Sequence, residues 1–172
     1  MSRRSLKFTL AELLTVIVIC GILASLGIAA AVLVRARSRR AACAGNLRQV
    51  GQLLHLYLEG NNFRMPYCTV YPADPPDNEK SFPGIAEVLC PDGRGREILR
   101  CPGDRAGYFE RHSSSYEWNS IGVNGRQVES KNFTVFGFQY PVMYDYDVFH
   151  APLRNNYLYI DGQVTDEPLQ RH

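Results

Sequence analysis

Sequence marks of catalysis and metal binding are scarce in this chain. It has only four histidines and no Cys-x-x-Cys pair, so its spacing offers no zinc knuckle. It lacks a phosphate-cradling glycine loop and a nucleophile elbow. The one adjacency of His112 with Ser113, Ser114 and Ser115 is accounted for by a polar loop. No Asp-x-Asp-x-Asp-Gly calcium loop is present. The net charge is only +2, which gives no strong basic field for nucleic acid. No internal repeat is visible. The expectation is a protein that is not an enzyme, with no cofactor, no bound metal and no nucleic-acid partner.

What the chain does have is a long apolar run. From Phe8 to Val34 it reads FTLAELLTVIVICGILASLGIAAAVLV, interrupted only by small hydroxyls and one carboxylate, Glu12. As a helix this stretch is roughly 40 Å long, enough for a hydrocarbon core of about 30 Å with some tilt. A secretory signal is the competing reading, but its apolar region would be shorter and would carry no acid. Arg3, Arg4 and Lys7 precede the run and Arg35, Arg37, Arg39 and Arg40 follow it, so flanking charge alone leaves the orientation open. The four downstream arginines fit lipid headgroups or a solvated helix face. Glu12 has two readings. It could snorkel to headgroups near one membrane face, or it could pair with a cation on a neighbouring chain, because an intramembrane acid is costly and is usually functional.

The wording Phe8-Thr9-Leu10-Ala11-Glu12-Leu13-Leu14 after a short basic leader resembles the class III signal of type IV prepilins and type II secretion pseudopilins. In that family a prepilin peptidase cuts before the Phe, the new terminus is methylated, and the Glu pairs with the terminus of an adjacent subunit. The resemblance thus implies processing at Lys7 and Phe8 and assembly through Glu12. It also implies an N-terminus in the cytoplasm, a C-terminal domain outside the bacterial inner membrane, and other pilin-like subunits, an inner-membrane assembly platform and lipid as partners. The family has Gly before the Phe, and here that position is Lys7. Should the leader stay attached, Lys7 or Arg4 of a neighbour would be the partner left for Glu12.

Beyond the span, Cys43, Leu47, Val50, Leu54 and Leu58 recur at helical spacing, and Gly60, Asn61 and Asn62 mark a stop. Residues 1–7 are thus a leader, 8–34 a transmembrane helix, 35–60 an amphipathic continuation, and 61–172 a globular domain. Gly21, Gly27, Gly45 and Gly51 would permit bending or close packing. Residues 71–78 read as exposed loop and Ile85–Leu89 as a short helix or strand. Two hairpins are expected, one turning at Asn124-Gly125 between residues 121–123 and 126–128, the other at Asp161-Gly162 between residues 157–160 and 163–165. Residues 132–138 are a further strand candidate. The expected fold class is α+β and pilin-like, with the outer half of the long helix packed on a small antiparallel sheet.

Of the five cysteines, Cys20 lies in the span. A Cys90–Cys101 bridge across the Gly-rich loop between them is expected, with Cys43–Cys101 as the alternative. Residues 42–51, Arg100-Cys101-Pro102-Gly103-Asp104 and Ser115-Tyr116-Glu117-Trp118-Asn119 resemble prepilin-like proteins that end in a His-x9-Asp-Gly domain. Here His150 precedes Asp161-Gly162 with ten residues between. Turn chemistry alone explains Asp161, and His150 reads as a loop residue. Because some pseudopilins bind calcium near the C-terminus, Asp145, Asp147 and Asp161 are the oxygens such an ion would use. The function expected is a structural filament subunit; the alternative is a single-span anchored binding module that never polymerises and presents its aromatic-rich domain.

Overall fold

The computed structural model of the chain describes residues 9–70, 82–129, 134–135, 137, 139–151 and 153–168. Lys7, Phe8, the basic leader, the loop at 71–78 and most of the strand candidate at 132–138 lie outside the described residues. Two units are distinguished, Met1–Arg35 and Ala36–His172, and helix α1 (Leu10–Gly60) contributes to both.

In the first unit every described side chain from Leu10 to Val34 is exposed, branched aliphatics included. Leaving so many apolar side chains in water is unfavourable by about 25 cal/mol per Å2, so this surface calls for an apolar surrounding. Among the described residues, α1 is the one helix long and apolar enough to cross a membrane.

In the second unit α1 buries one stripe. Cys43, Leu47, Val50, Leu54 and Leu58 are all buried, while Arg48, Gln49, Gln52 and Glu59 face solvent. A stripe at intervals of three and four suits packing on a sheet, and Gly51 marks the close approach. A methyl group on Gly51 would sit 3.2 Å from Leu158 Cδ1. The helix ends in a Schellman closure, with Phe63 N–H donating to Leu58 O at 2.8 Å and Asn62 left-handed at φ 54°. Of the expected stop residues Asn62 takes the left-handed conformation, and Phe63 follows it there at φ 55°.

The sheet is β1 (Tyr116–Trp118), β2 (Pro141–Asp145), β3 (Tyr157–Tyr159) and β4 (Val164–Thr165), antiparallel throughout and in chain order. Tyr116 pairs with Asp145, Trp118 with Met143, and Leu158 with Val164. The long helix packed on this small four-stranded sheet makes the architecture α+β. Leu47, Leu54 and Leu58 share one core with Tyr116, Trp118, Met143, Leu158 and Ile160. Short helices α2 (Ile85–Leu89), α3 (Tyr108–His112) and α4 (Ser120–Val123) and a 3-10 turn at Arg96–Leu99 fill the connections.

A hairpin forms at Asp161-Gly162, with strands one residue shorter on each side than expected and a three-residue loop, Ile160 to Gly162, closed by Gly162 N–H on Tyr159 O with Gly162 at φ 84°. The one expected at Asn124-Gly125 does not. Residues 120–123 are helical, and Asn124 at φ −51°, ψ 127° followed by Gly125 at φ 64° makes a type II turn instead of a type I′ turn. The cause is the Asn124 side chain, which is engaged elsewhere. Its Oδ1 accepts from Cys68 N–H at 3.2 Å and from Trp118 Nε1 at 2.8 Å, and its Nδ2 donates to Cys68 O at 2.8 Å. Arg126–Val128 joins the chain around Arg64 through a single antiparallel bridge between Gln127 and Arg64.

Candidate functional site

The first candidate lies at the start of α1. Thr9 N–H and Thr9 Oγ1 both donate to Glu12 Oε2 at 2.8 Å, and Glu12 N–H donates to Thr9 Oγ1 at 3.3 Å. This is a capping box, with Thr9 as N-cap and Glu12 reaching back from the third helical position. The T-x-x-E signal is written in Thr9-Leu10-Ala11-Glu12 and is overlooked when the acid is read only against lipid. It gives Glu12 partners within its own chain.

The second candidate is buried and is assembled from four separate segments. Cys43 on α1 is disulfide-bonded to Cys101, which follows the 3-10 turn, with their Cα atoms 5.1 Å apart. The expected Cys90–Cys101 bridge is thereby corrected, and the alternative pairing is the one present. Residues 91–99 are taken up by a turn with Gly93 and Gly95 at positive φ and by the 3-10 turn, which delivers Cys101 to the helix. Cys90 and Cys68 are buried free thiols. Burial pushes the Cys68 thiol up to about 12, with the Glu87 charge adding to it, so at neutral pH it is a packing residue.

Against the disulfide lie His150, from the loop after β2, and Asp145, the last residue of β2. His150 Nε2 is 3.4 Å from Cys101 Sγ and 3.4 Å from Asp145 Oδ2. Both side chains are fully buried. Asp145 Oδ2 accepts from Asn156 N–H at 2.7 Å and from Asn156 Nδ2 at 3.1 Å, whereas Asp145 Oδ1 and His150 Nδ1 have no hydrogen-bond partner. Burial raises the Asp145 carboxyl to about 6 against the opposing Asn156 hydrogen bonds and Arg40 charge. Burial, helped by the Arg40 and Arg39 charges, lowers His150 to about 4. At neutral pH His150 is therefore an uncharged imidazole, and its contact with Asp145 is a long hydrogen bond and not an ion pair. Gly103 closes the pocket. Its N–H donates to Cys101 Sγ at 3.3 Å, and a Cβ there would meet His150 Cε1 at 3.0 Å and Phe149 O at 3.0 Å.

The other acids named from sequence are engaged apart from this cluster. Asp147 accepts from Tyr108 Oη at 3.1 Å and from Val148 N–H, and Asp161 accepts from Gln139 Nε2 at 2.7 Å and from Gln163 N–H. Among the described residues, one group of His, Cys and acid side chains is close enough to share an ion, namely Cys43, Cys101, Asp145 and His150. Of the three calcium candidates only Asp145 belongs to it, and its neighbours are sulfur and nitrogen, donors that calcium does not select. Sequence spacing pointed away from metal binding through cysteine because it registers only local pairs, and this group is not local.

Asp104 is a further residue missed from sequence. It accepts from the N–H groups of Gly107, Tyr108 and Phe109 and from Ser115 Oγ at 2.7 Å, tying the start of α3 to β1. Burial opposes its ionisation, but these four hydrogen bonds outweigh burial and leave its pKa lowered. The signal was the Asp-x-x-Gly spacing ahead of a short helix. Comparison with protein-family models, curated proteins and solved structures finds no match to this chain.

Proposed function

We propose that this chain is a membrane-anchored, pilin-like subunit of a type IV pilus-like or type II secretion pseudopilus filament, with its N-terminus in the cytoplasm and its α+β unit outside the bacterial inner membrane. The observation that carries the reading is the exposed apolar surface of α1 from Leu10 to Val34, with Glu12 as the single acid within it. A lone anchor needs lipid contact from such a helix; a filament subunit uses the same surface to pack on copies of itself. In this reading Glu12 sets the stagger, because an acid left unpaired among apolar helices penalises a wrong register. The work is mechanical, and the partners are other pilin-like subunits and an assembly platform.

The capping box favours a second reading, a non-polymerising single-span anchor that holds an aromatic-rich binding domain, since Thr9 already occupies Glu12. Whether wild-type chains form an oligomer ladder separates the two readings, and one pair of variants then separates charge pairing from capping. Gln serves a capping box nearly as well as Glu but carries no charge. If the charge pairs between subunits, Glu12→Gln and Glu12→Ala both abolish the oligomer ladders given in membranes by paired cysteines engineered on the helix. If Glu12 only caps, Glu12→Gln behaves as wild type in that assay. Wild-type chains that give no ladder at all remove the filament reading.

A further inference from the structure

The Cys43–Cys101 bridge shares its pocket with more metal-type donors than a structural disulfide requires. The Sγ atoms of Cys43 and Cys101, a ring nitrogen of His150 and a carboxylate oxygen of Asp145 all lie within 4.8 Å of one another, and all four residues are buried. Tetrahedral zinc bound to sulfur, nitrogen and oxygen at about 2.0–2.3 Å places neighbouring donor atoms roughly 3.3–3.8 Å apart. The two separations of 3.4 Å made by His150 Nε2, to Cys101 Sγ and to Asp145 Oδ2, fall in that range. Two thiolates, one imidazole and one carboxylate form a donor set that zinc accepts and calcium or magnesium does not.

The surroundings are also those of a metal site. Asn156 fixes Asp145 Oδ2 through two hydrogen bonds, as outer partners of ligating carboxylates do. Gly103 N–H points at Cys101 Sγ, where a hydrogen bond supports a thiolate. Arg40 acts electrostatically on both Asp145 and His150 and offsets the net negative charge of zinc with three anionic ligands.

We propose that, once the disulfide is reduced, Cys43, Cys101, His150 and Asp145 form a zinc site, so that zinc and the disulfide are mutually exclusive crosslinks between α1 and the sheet. In the reducing step a dithiol gives two electrons and two protons to the bridge and itself becomes a disulfide, leaving two cysteine thiols. Zinc binding then releases those two thiol protons and forms two Zn–S bonds, with His150 Nε2, in the tautomer that carries its proton on Nδ1, and a carboxylate oxygen of Asp145 completing the tetrahedron. In the reverse step a small-molecule disulfide accepts two electrons from the two thiolates and, with two protons from solvent, leaves as a dithiol, which re-forms the Cys43–Cys101 bond and expels the ion. The site does not rest on the filament reading, since either anchored form would carry it.

The test uses the full chain in detergent, reduced and freed of reductant under anaerobic conditions, with Co2+ alone as the spectroscopic probe. The expected result is one Co2+ per chain with thiolate-to-cobalt charge transfer and a tetrahedral ligand-field band, displaced by Zn2+ and absent from the oxidised protein. His150→Asn should weaken metal binding by at least about 10-fold. Cys68→Ala with Cys90→Ala should leave it unchanged. Because His150 is buried, a measurement on wild type stands beside that of its variant. Zn2+ should shield Cys43 and Cys101 of the reduced chain from alkylation, mapped peptide by peptide, and leave Cys68 and Cys90 reacting as they do without metal. The proposal is overturned by absence of a thiolate-cobalt band in the reduced protein, by equal binding before and after reduction, by shielding of Cys68 or Cys90 in place of the proposed pair, or by unchanged affinity in folded His150→Asn.

Discussion

Asp145 and His150 make opposite contributions to stability as pH changes, and the two can be separated by substitution. Unfolded Asp loses its proton near 3.8 whereas buried Asp145 does so at about 6, so between those values the folded state binds more protons and stability falls as pH rises. Unfolded His gains its proton near 6.5 whereas His150 does so at about 4, so the unfolded state binds more protons there and stability rises with pH. In the disulfide-bonded wild type these slopes nearly cancel. Asp145→Asn removes the falling one. Relative to wild type, its unfolding free energy should climb by about 2–3 kcal/mol between pH 4 and 6.5, and His150→Asn should show the reverse trend between pH 4 and 6. Urea unfolding at a series of pH values reads both, and curves parallel to wild type would mean that neither group is titrating as its burial implies. Beside them, Gly103→Ala drives a methyl group against His150 Cε1 and Phe149 O. That overpacking should lower stability by about 1–3 kcal/mol on the same assay.

At the scale of the element, the outer part of α1 is stabilised through one stripe, and the contrast between neighbours two residues apart measures it. Leu54 is 1% exposed and Leu56 is 65% exposed. Leu54→Ala should cost about 2–5 kcal/mol, because the core packed between helix and sheet collapses only partly around the lost atoms. Leu56→Ala should stay within about 0.5 kcal/mol. Thermal or urea unfolding decides, and equal losses would place the stripe wrongly. That stripe was legible in the sequence because helical periodicity is a local property, as was the Asp161-Gly162 turn, where both strands sit beside the loop. Asn124-Gly125 misled because its dipeptide fits two turn types, and the choice was made by Cys68 and Trp118, residues that local pattern does not place nearby. For the same reason the Cys43–Cys101 pairing was expected only as the alternative to Cys90–Cys101, and the Asp145–His150 contact was hidden. The acid at Glu12 was visible, and its Thr9 partner three residues before it is equally local in the sequence.

For the molecule as a whole, the two units depend on different stabilising terms. In the unit Met1–Arg35 the described stretch from Leu10 to Val34 exposes apolar surface whose free energy is set by its surroundings. Ala36–His172 has a core of its own, yet among its described residues many lie outside helix and strand, and such segments leave the unfolded chain with a large entropy advantage. A bridge with a sequence separation of 58 reduces that advantage. In the chain-entropy model, closing a loop of this length is worth about 4 kcal/mol, a large share of the roughly 5–15 kcal/mol by which native domains are stable. The double substitution Cys43→Ala with Cys101→Ala, which removes the bridge and both thiolates, should therefore lower the unfolding free energy of the Ala36–His172 unit by about 4 kcal/mol. Partition of the chain into membranes should not change, since no residue of the apolar stretch is touched. Urea midpoints and membrane fractionation read the two effects separately. A loss below about 1 kcal/mol would mean that the packed stripe of α1 alone holds the helix on the sheet, and that the bridge constrains a segment already ordered without it.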